Sequence, residues 1–154
     1  MLVSIVIPCY NSEHTIGEVV ELAIEEFEKL DKYECEFVLV NDYSRDGTWK
    51  AIEALSDKHP NVKGINLAKN FGQHNAIMAA MSQAEGELIV GMDDDMQNHP
   101  SQIPQFLAKI EEGFDIVFGV FKQRKFSMMK NITGAISRYL LWHLLDRPKD
   151  IQMS

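Results

Sequence analysis

The stretch GMDDDMQNHP, Gly91 to Pro100, sets Asp93, Asp94 and Asp95 side by side directly after the apolar run ELIV. Neighbouring carboxylates raise one another's pKa, so three in a row are costly unless a cation neutralises them. In a locally extended stretch residues i and i+2 point the same way, which makes Asp93 and Asp95 a D-x-D pair able to converge on one ion. Hard oxygen donors suit Mg²⁺ or Mn²⁺, ions that keep coordination positions open for substrate phosphates. The plainer alternative for the same residues is an acidic surface turn with an aspartate capping the helix that follows.

Other polar groups fall at similar places. Asp42, in VNDYSRDGT, can accept from an imide or amine N–H of a nucleobase, while Asp46 and Thr48 are suited to capping the next helix. Tyr10 offers a stacking face for a base, or is simply a core or rim tyrosine. In KNFGQHN, Lys69 can meet a phosphate, and Gly72 either admits a ligand close to the backbone or opens a helix. His74 is one of five histidines, none at metal-ligand spacing with another, and reads as a helix-surface residue or one that backs the site. The chain has neither G-x-G-x-x-G nor G-x-x-x-x-G-K-[ST], which removes support for dinucleotide and P-loop readings. No Ser/His/Asp or Cys/His nucleophile arrangement can be argued.

The elements that must position these groups alternate along the chain. Apolar, β-branched runs at 2–8, 35–41, 62–68, 86–92 and 114–120 read as strands. Helical patterns fill 14–30, 46–59, 72–84 and 100–113. In the first helix Ile16, Val19, Val20, Ala23, Ile24 and Phe27 form the apolar stripe, with Ser12 as the expected N-cap. Proline in the first turns of the last of these helices costs little, because its missing N–H would be unpaired there anyway. Continuously apolar strands alternating with helices predict an α/β protein with a largely parallel sheet covered on both faces. Ligands of such sheets bind beyond the carboxyl ends of the strands, which is where PCYNSE, NDYSRDGT, KNFGQHN and DDDMQNHP fall.

With 154 residues and 45% hydrophobic content, the chain can bury a substantial core and is not disordered. It opens on LVSIVIP without a basic n-region or cleavage site, and no apolar run reaches the ~18 residues of a membrane span. Cys9 and Cys35 are expected as buried thiols rather than a disulfide, which suits a cytoplasmic protein. The net charge of −8 is uneven: from Phe121 onward seven Lys/Arg face only Asp146 and Asp150. That basic tail includes 126–148, where Met128, Met129, Ile132, Ile136, Tyr139, Leu140 and Leu144 recur at helical spacing. It is either a core-packing helix or an amphipathic one near a membrane surface.

Taken in order, VSIVIPCYN, VLVNDYSRDGT, NLAKNFGQHNAIMAA and GELIVGMDDDMQNHPSQIPQFLAKIEEGFDIVFG resemble the inverting family 2 glycosyltransferases, most of all the polyprenyl-phosphate branch that includes dolichyl-phosphate mannose synthases. The resemblance covers nearly the whole chain. It implies the GT-A fold, a Rossmann-like three-layer α/β sandwich with a mostly parallel sheet, and a single catalytic domain over 1–154 that continues C-terminally in a longer protein. It further implies transfer of a sugar from a UDP- or GDP-type donor to a lipid phosphate, with Mg²⁺ or Mn²⁺, at the cytoplasmic face of a membrane that the basic tail approaches. No nucleic-acid partner is expected. The alternatives are a saccharide hydroxyl as acceptor, a non-catalytic nucleotide-sugar-binding fragment, and a receiver-type signalling module. The last is disfavoured because the first strand ends in PCYN rather than in paired acids.

By position, the resemblance implies that Pro8, Tyr10, Asn11 and Asp42 bind the nucleotide with Lys69 and Gly72. Asp93 contacts the ribose or the metal-bound region, Asp95 is the principal metal ligand, and Gln97 lies beside the donor sugar. Three departures stand out: Tyr43 where the family's DDGS has glycine, Asp94 where the middle of D-x-D is usually small, and Asn98 where an acidic residue is more usual.

Overall fold

A computed structural model of the chain describes residues 1–119. Within it Met1–Val117 forms one compact unit. In chain order it contains β1 (Leu2–Cys9), α1 (Ile16–Phe27), β2 (Glu34–Asn41), α2 (Thr48–Lys58), β3 (Val62–Asn66), α3 (Gln73–Met81) and β4 (Leu88–Gly91). A 3₁₀ turn, Pro100–Gln102, then leads into α4 (Ile103–Glu111). The sheet order is β3-β2-β1-β4, and every pairing is parallel.

β1 sits in the middle and is covered on both faces, which is why residues 3–9 carry no alternation and are all buried. Val3, Ile5, Ile7 and Cys9 point into the larger core, with Ile16, Val19, Val20, Ala23 and Phe27 of α1, Ile52 and Leu55 of α2, and Ile103 and Leu107 of α4. Val6, Val38 and Val40 point to the other face and meet Ala76 and Ala80 of α3. Two alanines four residues apart give α3 a small contact stripe, so that helix can lie close to the sheet.

From β1 the chain moves through β2 and β3 on one side, then crosses back to β4 on the other. The crevice between β1 and β4 is therefore the topological switch point, where ligands of open parallel sheets bind.

Three sequence expectations need correction. Residues 114–119 form no strand: a strand needs a partner for its backbone groups, and among the described residues none pairs with this stretch. Phe114 and Ile116 consequently stay exposed. Ser12 is not a side-chain cap of α1. The helix begins after Thr15, the Ser12 carbonyl accepts from the Thr15 and Ile16 N–H groups, and the Ser12 hydroxyl is buried without a partner. The helical patterns also overran their ends, since α1 and α3 stop at Phe27 and Met81. The basic segment 126–148 lies outside the described residues. Cys9 and Cys35 are both free, as expected. Burial raises both thiols, Cys35 to about 11, and Cys9 further with help from the nearby Asp94 charge.

A polar cluster anchors the turn that launches β4. Glu36, 5% exposed on β2, accepts from the Ser4 hydroxyl and from the Glu85 N–H, both at 2.6 Å, and pairs with Lys63 at 3.0 Å. Ser4 Oγ in turn accepts from the Gly86 N–H at 2.8 Å. Gly86 cannot be another residue without rearrangement, because a Cβ there would lie 2.6 Å from the Ser4 nitrogen. Burial opposes ionisation of Glu36, but the Ser4, Glu85 and Lys63 bonds together hold its carboxyl below the usual range. A carboxyl with a depressed folded pKa stabilises the fold above its unfolded pKa, and that contribution fades as pH falls through the folded value. Glu36→Gln is accordingly expected to lower unfolding free energy at pH 7 by about 1–3 kcal/mol. Urea titrations from pH 7 down to pH 3 should show a shallower acid loss in the variant than in the wild type.

Candidate functional site

The loops after β1, β2 and β4, with the segment that opens α3, enclose an open cavity of about 410 Å³. Pro8, Cys9 and Tyr10 line it from β1, Asp42 from β2, and Asn70, Gly72 and Gln73 from the approach to α3. Asp93, Asp94 and Asp95 complete the wall beyond β4. Of the residues singled out in the sequence, Pro8, Tyr10, Asp42, Gly72, Asp93 and Asp95 are thus brought together. Asn11, Lys69 and Gln97 are not part of the lining.

Asn11 serves the loops instead. Its N–H donates to Ser44 Oγ at 3.0 Å, and its Oδ1 accepts from the Arg45 N–H at 3.0 Å. Beside it, the Ser12 N–H donates to Thr48 Oγ1 at 2.8 Å, and Glu13 Oε2 accepts from the Gly47 N–H at 2.6 Å. The β1 and β2 loops are stitched into one rim. Asp46 accepts from the Thr48 N–H at 3.1 Å, as its place before α2 suggested. Lys69 places its ammonium 4.9 Å from the centre of the Phe71 ring. Gln97 contributes a backbone N–H to Asp95 Oδ1 at 3.0 Å.

Asp42 is 3% exposed. Its Oδ1 accepts from the Phe71 N–H at 2.7 Å and its Oδ2 from the Gly72 N–H at 2.8 Å. A carboxylate at a helix N-terminus is favoured by unpaired N–H groups and by the helix dipole. Gly72 holds φ +87 and ψ 156 at the N-cap of α3, a region essentially reserved for glycine. Its glycine identity therefore serves the loop's conformation as well as the site.

Asp93 is raised above the ordinary carboxylate range. Burial raises its pKa, followed by the charges of Asp95 and Asp94, while amide donors from Asn98 and Gln73 pull the other way. Gln73 Nε2 reaches Asp93 Oδ1 and Asn98 Nδ2 reaches Oδ2, each at 3.1 Å. Sequence reasoning missed Asn70 and Gln73, and noted Asn98 only as a departure. Their signal was weak, because an amide near a strand end does not announce which carboxylate it will face.

Among the described residues no three His, Cys, Asp or Glu side chains form a ready-made metal cluster. The site still fits a partly hydrated divalent cation. Asp93 and Asp95 present hard oxygens at a strand end, no lysine or arginine among the described lining residues relieves their mutual repulsion, and the cavity leaves room for further oxygen ligands.

This architecture, a parallel α/β sheet with an acidic pocket at its switch point, is that of the GT-A glycosyltransferases. The pattern of glycosyl transferase family 2 matches residues 4–147, and the chain belongs to that family. It is 42% identical over 142 residues to the undecaprenyl-phosphate 4-deoxy-4-formamido-L-arabinose transferase of Shewanella sediminis, covering 90% of this chain and 42% of that protein. The chain thus spans about two fifths of the length of that relative. Among solved structures it is similar to S. aureus TarS residues 1–349 in complex with UDP, with 28% identity, a TM-score of 0.56, and coverage of 80% of this chain and 40% of that one. It is also similar to a mannosyltransferase of Pyrobaculum calidifontis in complex with GDP-Man and Mn²⁺, with 28% identity, a TM-score of 0.52, and coverage of 60% and 27%.

Two backbone positions give a direct check on the rim. Tyr43 sits at φ +59. A side chain in the left-handed region costs about 1–2 kcal/mol, part of which glycine returns through its freer unfolded state. Tyr43→Gly is therefore expected to change stability by less than about 1 kcal/mol. Gly72→Ala is expected to destabilise by about 1–3 kcal/mol, since alanine cannot hold φ +87 without strain. Chemical denaturation of the two variants side by side measures the contrast.

Proposed function

We propose that the chain supplies the donor-binding part of an inverting glycosyltransferase that moves a sugar from a UDP- or GDP-type donor to a polyprenyl phosphate. The observation that carries this reading is the cavity at the β1–β4 switch point, whose wall combines the exposed Tyr10 ring with the acids at 93–95. The names of the relatives support it: undecaprenyl phosphate appears in one, UDP in another, and GDP-Man with Mn²⁺ in a third.

Tyr10 would stack on the base; it lines the cavity with Pro8, which lies near the end of β1. Each Asp42 oxygen spends one acceptor site on the loop before α3, which leaves the second free for a base N–H. Asp95, with Asp93, would hold the Mg²⁺ or Mn²⁺, which when bound neutralises charge developing on the leaving diphosphate. Gln97, two positions after Asp95, would serve the donor sugar in this reading, although it is not part of the lining. Among the described residues the lining contains no lysine or arginine, so none of them offers a diphosphate a side-chain cation there. A phosphate acceptor has a second pKa near ~6 and is already largely ionised at pH 7, so it attacks without a strong general base. A saccharide hydroxyl would need one.

A lipid-phosphate acceptor would bring the reaction to a membrane surface, in our reading its cytoplasmic face, where the basic composition of the sequence from Phe121 onward suits anionic head groups. Among the described residues no helix is long and apolar enough to cross a membrane.

In the intact protein, Asp95→Ala is expected to reduce sugar transfer at least about a hundredfold and to abolish the Mn²⁺-dependent rise in melting temperature with UDP or GDP. Wild-type turnover by this variant in saturating Mg²⁺ would remove the metal role assigned to Asp95.

A further inference from the structure

We infer that Asp94, the unexpected middle acid of the D-x-D triplet, is a positioning residue that ties the nucleotide-stacking loop to the metal-binding loop; the inference rests on the reading of the site as a nucleotide-sugar pocket. Asp94 Oδ2 accepts from the Tyr10 backbone N–H at 2.9 Å, across the β1–β4 crevice. Tyr10 is the first residue past β1, and 84 positions separate the two partners. A carboxylate–amide bond is charge-assisted and stronger than a neutral one.

The direction of this bond sorts the three acids by job. Asp93 is held by the Gln73 and Asn98 amides, and Asp95 by the Gln97 N–H of its own loop. Asp94 alone of the three bonds to the β1 loop among the described residues. It therefore holds the strip that carries the Tyr10 ring, while its neighbours are held by groups on the α3 and β4 side. The β1 loop is otherwise tied toward β2, through Asn11 to Ser44 and Arg45 and through Ser12 to Thr48. Asp94 supplies the pull from the opposite side of the crevice. With both ties made, the Tyr10 backbone is fixed relative to both walls, and the base-stacking ring and the diphosphate end of the pocket keep one spacing. A residue without a side-chain acceptor at position 94 would leave the Tyr10 N–H without this bond, so the chain sets that spacing by a side chain.

The test compares Asp94→Ala with Asp94→Asn in the intact protein, using UDP and GDP with Mn²⁺ as probes and hydrogen exchange of the Tyr10 amide as an independent readout. Asparagine keeps an oxygen that can accept the Tyr10 N–H; alanine does not. Asp94→Ala is expected to weaken binding of the nucleotide that the wild type prefers by about tenfold and to raise exchange at the Tyr10 amide without ligand by a similar factor. Asp94→Asn is expected to recover most of both effects when affinity is measured at saturating Mn²⁺. Affinity lost at saturating Mn²⁺ with Tyr10 exchange intact would make Asp94 a ligand contact and overturn the inference. Unchanged affinity and unchanged exchange in Asp94→Ala would overturn it as well. A wild type that binds neither nucleotide sinks the functional reading instead, and the exchange comparison in unliganded protein still decides whether Asp94 holds the loop.

Discussion

The site depends on one buried carboxylate more than on any other group. Asp42 directly follows β2 and is nearly inaccessible, yet both of its oxygens are used by N–H groups of the loop that opens α3. A charge in that position is tolerable only because donors meet it on both oxygens. The same two bonds hold Phe71 and Gly72 where the chain must turn into α3, and α3 is the helix that covers the second face of the sheet. They also set Asn70, Gly72 and Gln73 opposite the acids that follow β4. Without Asp42 the cavity would have one wall fewer, and Asp93 would lose the placement of its Gln73 donor.

The choice of neutral amides around Asp93 has an electrostatic consequence. A lysine or arginine in place of Gln73 or Asn98 would satisfy the carboxylate and cancel its charge at the same time. Glutamine and asparagine donate hydrogen bonds but leave the negative charge in place. Burial and the neighbouring acids then outweigh those bonds, and the Asp93 pKa rises. Elsewhere the chain does use ion pairs, with Glu36 meeting Lys63 and Glu111 meeting Lys32. The acids at the switch point have no such partner among the described residues, and there an external cation can do what Lys63 does for Glu36.

Much of this was legible from pattern alone, and what failed did so for identifiable reasons. The unbroken apolar run of β1 could only belong to a strand buried on both faces, and the spacing of Ile16, Val19, Val20, Ala23 and Phe27 could only face a helix toward a core. The polar loops were found because parallel topology forces all four to the same end of the sheet. FDIVFG has an equally good strand composition, but composition does not provide a hydrogen-bonding neighbour, and among the described residues this stretch has none. Ser12 looks like a cap by residue type, yet its backbone N–H is drawn to Thr48, 36 positions away, and the helix starts later. Tyr10 and Asp94 meet across 84 positions, a distance at which local pattern carries no information.

The four loops share a further trait that explains why the rim can be both rigid and demanding. Each turns through positive φ after its strand: Asn11 at 54 after β1, Tyr43 at 59 after β2, Gly72 at 87 after β3, and Met96 at 60 after β4. Only one of the four is glycine, so three non-glycine residues accept a conformation that costs about 1–2 kcal/mol each. Strain of that size persists only where the surroundings over-determine the backbone. Here they do: the Asn11, Ser12 and Glu13 bonds clamp the loops after β1 and β2, Asp42 clamps the loop before α3, and the Asp94 bond joins the first of these loops to the one after β4. Beneath them lies a sheet whose central strand is wholly buried over residues 3–9, and it is this core that supplies the stability the rim consumes. The reactive end of the molecule is thus held by polar bonds between loops and supported by apolar packing below, so a change in either layer is felt at the acids between β1 and β4.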